Sequence, residues 1–277
     1  MAEKGLSNSD LDSKTKEKQK IGESTSGVKK LDNLGVNFVP VRNEWKILME
    51  CCEKKCGSVC VKGSGSVKLI NEESVEYVKG KDQTVSLIAK NELKNPKDEI
   101  NYSLFYFEVK FKIEGEKNDK LCIGVKNQEN STVFFNFGDA CIRYHMENKD
   151  IKKIDVSKTF SWNDGDVFGC GIVYPPINKS DKLPYLFFTQ NGKQIGKALL
   201  LMKSQNCEKY EPIILLKCCS AETNFGKDLK AKPFIYDVSQ HSVSDDFHVF
   251  EDNDAGEMKK KVFRMLAEIA IAKMLAE

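Results

Sequence analysis

Apolar and polar residues alternate most cleanly between Phe105 and Ile113. Phe105, Phe107, Val109, Phe111 and Ile113 occupy every second position, with Tyr106, Glu108, Lys110 and Lys112 between them. A period of two predicts a strand with its aromatic and branched side chains on a core face and its charges in water. Leu121, Ile123 and Val125 repeat the alternation. Val167 to Val173 is an apolar run of the kind a strand covered on both faces shows, and Ile213 to Cys219, apolar apart from Lys217, is another. Tyr185 to Gln190 enters a turn at Asn191-Gly192, and Lys193 to Ile195 leaves it. Asn-Gly suits a type I′ hairpin because both central residues there need positive φ. Structure is expected to begin near Val36–Pro40, and strand signals dominate from there to Val238. Short strands separated by Gly, Asn, Asp and Pro predict an all-β sandwich or barrel. No internal repeat is visible.

The flanks follow other rules. Residues 1–35 are rich in Lys, Ser, Asp and Gly, bury too little apolar surface to offset chain entropy, and are expected to be a disordered polar tail. Residues 239–277 are expected to form an acidic linker, with Asp245, Asp246, Glu251, Asp252 and Asp254, followed by a helix over 257–277. That helix has a polar stripe of Lys261, Arg264 and Glu268. The rest of its perimeter is broad and apolar, with Val262, Phe263, Met265, Leu266, Ile269, Ile271, Met274 and Leu275, so it wants cover on more than one side. Docking on its own domain and pairing with a partner or a second copy both stay open. Lys259, Lys260 and Lys261 keep a membrane-surface role open as well, although no membrane insertion is expected.

Composition narrows the class. The 277 residues carry 43 basic and 41 acidic side chains, and this near-balance argues against a dedicated nucleic-acid surface. A hydrophobic share of 40% can supply the core of a large domain. Residues 1–20 contain no apolar signal segment, and no apolar run approaches a spanning helix, so a cytoplasmic location, with nuclear access open through the basic run from Lys14 to Lys20, is expected. In such a compartment the ten cysteines are expected to be free thiols, with Cys122, Cys170, Cys218 and Cys219 packed as small hydrophobes.

The chemistry-bearing residues do not assemble into a reaction centre. The three histidines, His145, His241 and His248, lack any nucleophile-elbow or zinc-protease context. Cys52, Cys56 and Cys60 lie four apart, which is not the ligand spacing of a structural zinc site, so no metal and no cofactor are expected. Gly165, Gly169 and Gly171 lack the lysine and serine or threonine of a phosphate loop and read as close backbone packing in a strand. Trp45 and Trp162 are expected in the core.

Several elements, in order, resemble the SPRY (B30.2/SPRY) family. Asn43-Glu44-Trp45 followed by Cys51-Cys52 is similar to the opening of SPRY domains of the Ran-binding-protein-9 type. Phe105 to Val109 matches the family's Tyr-Phe-Glu-Val strand, Ile123-Gly124-Val125 its Ile-Gly-Leu/Val element, and Gly165 to Gly171 its Gly-Asp-Val-x-Gly-Cys-Gly strand. Phe187 to Lys193 resembles its Asn-Gly hairpin, Glu222 to Gly226 its closing element, and SPRY proteins expanded in nematodes are also similar. The resemblance spans residues 36–238 and implies a concanavalin A-like, antiparallel sandwich that acts as an adaptor: no enzyme, but a module binding a peptide or loop of a partner protein through loops at one end. The segment from Lys126 to Lys158 departs from the family pattern where the family builds its ligand surface. Asn127, Phe135, Phe137, Tyr144, His145 and Tyr174 are accordingly the expected partner-binding residues. The alternative is a scaffold subunit of a stable assembly, an oligomer held through residues 257–277.

Overall fold

The computed structural model describes residues 35–47, 67–78, 84–114, 121–145, 151–156, 159–179, 182–201 and 209–250. The chain divides into two units, residues 1–32 and 33–277, and every described residue belongs to the second. The expected tail and the expected helix over 257–277 lie outside the described residues, as do Cys52, Cys56 and Cys60.

The described chain is built of strands. In order they are β1 (Val36–Phe38), β2 (Trp45–Ile47), β3 (Val67–Leu69), β4 (Ser74–Tyr77), β5 (Val85–Ala89) and β6 (Leu93–Lys94). Then come β7 (Tyr102–Ile113), β8 (Cys122–Asn127), β9 (Thr132–Asn136), β10 (Cys141–His145), β11 (Lys152–Asp155) and β12 (Val167–Tyr174). The last are β13 (Tyr185–Gln190), β14 (Lys193–Gln194), β15 (Ala198–Leu200), β16 (Lys209–Leu216), β17 (Cys219–Asn224) and β18 (Phe247–His248). One sheet runs β18-β15-β13-β12-β7-β17-β4-β3, with β1 on β7 and β14 on β13; the other runs β11-β10-β9-β8-β16-β5-β2, with β6 on β16. The expected antiparallel sandwich is present, with two short exceptions: β1 lies parallel to β7, and β18 parallel to β15.

Between the sheets lies a core without charge. Phe105, Phe107, Val109 and Phe111 of β7 face Ile123, Phe135, Ile214 and Leu87 of the other sheet, and Trp45 and Trp162 are buried with them. Trp45 donates its Nε1 hydrogen to Thr223 Oγ1 at 2.7 Å, which satisfies the one polar atom that the indole brings. Phe137 stacks on Phe168 with ring centroids 4.0 Å apart.

Three sequence expectations are corrected. The first concerns β7. Lys110 and Lys112 do reach water, but Tyr106 and Glu108 do not: residues 234–250 cross this face of the sheet and bury both. The chain thus remains part of the folded body beyond Val238, as far as Phe250. The second concerns the apolar run from Ile213 to Cys219. It is two strands in different sheets, β16 and β17, joined where Cys218 adopts φ 53° and its carbonyl accepts from Glu114 N. A turn built from Lys217 and Cys218 carries none of the Gly, Pro, Asn or Asp that usually marks one. The third is the segment 126–158, expected to be a loop surface. It forms β9, β10 and β11, a meander continuing the second sheet to its edge.

The hairpin at Asn191-Gly192 is as expected. Gln190 pairs with Lys193, and Asn191 and Gly192 have φ 48° and 78°. Asp166 accepts from Asn191 Nδ2 at 2.9 Å, and Asn191 Oδ1 accepts from Val167 N at 2.9 Å, so the tip is tied to the start of β12. Gly169 and Gly171 carry no side chain because the Tyr106 hydroxyl and the Phe187 ring occupy the space where a Cβ would stand.

Candidate functional site

The ends of several strands converge at one end of the sandwich. The pairing Tyr210 with Asn127 closes β8 and β16, Tyr210 also pairs with Leu93 of β6, and Tyr174 is paired with Ser103 at the start of β7. Tyr174 Oη donates to Leu93 O at 3.0 Å and so links the two sheets at this end.

A small cleft opens here, lined by Asn127, Ser131, Val133, Tyr144, Tyr210 and Phe250, with Leu199 to Leu201 behind. Local sequence explains its shape. Asn127 Oδ1 accepts from Glu129 N at 3.0 Å and Ser131 N at 2.9 Å, folding residues 127–131 into a tight turn with Asn130 at φ 60°. Tyr144 projects from β10 and packs on Phe250, with ring centroids 5.3 Å apart. The rim is charged. Glu92 accepts from Gln128 Nε2 at 3.2 Å and lies 3.5 Å from both Lys94 and Lys209. Partial burial works to raise the Glu92 carboxyl, and the Gln128 hydrogen bond with the Lys209 and Lys94 ammonium groups more than offsets it, leaving it below the ordinary carboxylate value.

The same end of the sandwich carries an apolar shoulder. Ile100 is 68% exposed and Ile177 62% exposed, and Ile177 N donates to Glu99 O, so the two isoleucines sit on loops that are hydrogen-bonded to each other. Asn95 Oδ1, in the same loop as Ile100, is shielded from solvent and has no hydrogen-bond partner among the described residues.

Of the expected partner-binding residues, the structure brings Asn127 and Tyr144 to one cleft and puts His145 next along β10, half-buried. Phe135, Phe137 and Tyr174 are corrected: they are core residues. Phe135 packs on Phe137, Phe160 and Phe188, and Tyr174 lies edge-on to Phe105. Phe135 and Tyr174 lie on strands and face the opposite sheet, and Phe137, in the turn directly after β9, packs on Phe168 of β12, which takes all three off the surface. Asn127 is itself mostly buried, and its side-chain oxygen is committed to the turn. Sequence reasoning missed Ile100 and Ile177. The available signal was an isolated large apolar residue inside polar loops next to Pro96 and to Pro175-Pro176.

His241 is structural. His241 Nε2 lies 3.0 Å from Tyr185 Oη, and His241 Nδ1 2.7 Å from Tyr236 Oη, while the ring stacks on Phe187. Burial lowers its pKa to about 4. Burial likewise raises the Cys141 thiol to about 11 and the Cys219 thiol to about 12, the opposite of an activated nucleophile. Among the described residues, no three His, Cys, Asp or Glu side chains are grouped so that they could hold a metal ion, and no helix is long and apolar enough to cross a membrane.

No family model matches the chain, and no curated protein matches it. Solved structures of similar fold do. A human SPRY domain is 19% identical, covering 60% of this chain and 98% of its own, with a TM-score of 0.43. The SPRY domain of human HERC1 is 11% identical, covering 59% of this chain and 95% of its own, with a TM-score of 0.39. A carbohydrate-binding module from Bacillus subtilis is 7% identical, covering 68% of this chain and 96% of its own, with a TM-score of 0.37. SPRY domains are thus among the solved structures this chain is similar to.

Proposed function

We propose that the protein is a non-catalytic interaction module of SPRY type that binds a peptide or a loop of a partner protein at the sandwich end described above. The observation that carries this reading is the pair of exposed isoleucines, Ile100 and Ile177, on mutually bonded segments at the same end of the sandwich as the Tyr144 cleft. Apolar anchors on a rigid scaffold gain contact area while losing little conformational freedom on binding. Tyr144, which lines the cleft, and His145, next to it along β10, supply aromatic and polar contacts.

Peptides selected from a displayed library on the full chain provide the test. Tyr144→Ala and Ile177→Asp are each expected to weaken the selected peptides about thirtyfold, or about 2 kcal/mol, with an unchanged melting temperature. Peptides that bind both variants as tightly as the parent would place the binding surface elsewhere.

A further inference from the structure

We propose that the outer face of the second sheet is a docking surface for this chain's own residues 257–277. Register puts two rows of side chains on the side of that sheet away from the sandwich interior. One is Leu215, Cys122, Asn136 and Cys141; the other is Ile88, Ile213, Gly124 and Phe134. Their strand neighbours Leu87, Ile123, Phe135 and Ile214 fill the interior. An uncovered outer face would leave such side chains largely in water. They are instead as buried as the core: Cys141 is 0% exposed, Cys122 and Ile88 2%, Phe134 4%, Ile213 5% and Leu215 6%. Among the described residues, no hydrophobic side chain of another element packs on the cluster of Cys122, Phe134, Ile213 and Leu215. Charged groups ring the patch, with Lys46 3.7 Å from Glu211 and Arg143 paired with Asp139.

Sequence and chain path select the occupant. Residues 257–277 carry a helix-period pattern with eight large apolar positions, from Val262 to Leu275, and a single polar stripe, which suits a helix laid on an apolar sheet face. Residues 48–66 follow β2 but are rich in Gly, Ser and Lys. The last described residue, Phe250, lies at the cleft with Asn127 and Tyr210, at the ends of β8 and β16. Residues 251–256 span about 20 Å when extended. Ile213 is three positions along β16 from Tyr210, roughly 10 Å, so the linker reaches round the strand ends to the patch.

Site-resolved maleimide labelling tests this on three proteins: the full chain, a chain ending at Gly256, and the full chain carrying Leu266→Glu with Ile269→Glu. Cys122 and Cys141 report on the patch, and Cys170, buried between the sheets, reports on global unfolding. Both variants are expected to label Cys122 at least tenfold faster than the full chain, with Cys170 unchanged. Equal protection of Cys122 in all three proteins would overturn the proposal in favour of another cover, residues 48–66 or a second copy. A joint rise of Cys122 and Cys170 labelling in both variants would overturn it as well, because the segment would then not be a separable cover. A full chain that is dimeric, and monomeric when cut at Gly256, would assign the segment to a second copy's sheet and overturn the intramolecular form.

Discussion

The two faces of β7 solve the same burial problem in different ways. On the inner face Phe105, Phe107, Val109 and Phe111 pack into the hydrophobic core between the sheets. On the outer face Leu104, Tyr106 and Glu108 lie under residues 234–250, and this layer is held by polar contacts as well. Glu108 accepts from Ile235 N and Tyr236 N, both at 2.9 Å, and from Tyr106 Oη at 3.0 Å, while Tyr106 Oη lies 2.7 Å from Thr189 Oγ1. Burial pushes the Tyr106 phenol well above its ordinary value, with the Glu108 charge adding to the shift. A sheet supplies its own backbone bonds and needs only shape and apolar area from its partner. An irregular segment arrives with unpaired N–H groups, and burying those requires an acceptor. Glu108 is that acceptor.

The largest expected effect lies on the inner face. Phe107→Ala leaves a cavity between Trp45 and Phe225 and should cost about 3–5 kcal/mol in denaturant unfolding; a cost near that of a surface change would mean that the strand's phase is wrong.

The outer layer should respond to pH where the inner face does not. His241 has its folded pKa lowered from 6.5 to about 4 by burial. Above pH 6.5 it is neutral in both states and its contribution is complete. As pH falls through 6.5 the unfolded chain takes up a proton that the folded chain refuses, so stability is lost down to about pH 4. The loss is about 3 kcal/mol in all. Stability curves of the parent and His241→Gln, measured from pH 7.5 to about 4, should converge as pH falls. Parallel curves would mean that His241 titrates normally.

Glu108→Gln keeps an acceptor for one backbone N–H but cannot serve both oxygens' donors. A loss of about 1–2 kcal/mol is expected, with faster amide exchange at Ile235 and Tyr236 and no change in exchange at Val109 or Phe111. Uniform acceleration across β7 would show that the two faces do not open independently. The smallest effect is at the hairpin tip, where the layer begins. Gly192→Ala places a Cβ 2.8 Å from Ile235 O at a residue with φ 78°, and about 1 kcal/mol is expected from the left-handed backbone alone. No change in stability would mean that Ile235 yields freely.

Much of this architecture is legible along the chain. The alternation from Phe105 to Ile113 determines a strand with Phe107 and Val109 inward, because side chains on a strand alternate whatever the strand pairs with. Asn191-Gly192 determines its turn because those two residues tolerate positive φ locally. Gly169 and Gly171 mark close packing, although only the fold shows that Tyr106 and Phe187 are what approaches. What the sequence could not decide is which polar positions lie under a remote segment. Tyr106 and Glu108 look solvent-facing until residues 234–250, more than a hundred positions later, cross them. The same is true of Phe135 and Phe137, which read as surface anchors while their segment is taken for loops and become core once it joins the second sheet, and of Tyr174, which ends β12 of the first sheet and is buried between the two. Local sequence sets periodicity and turns, which depend on neighbours a few residues away. Cover is decided by the tertiary structure, because whether a face meets water depends on what the rest of the chain lays over it.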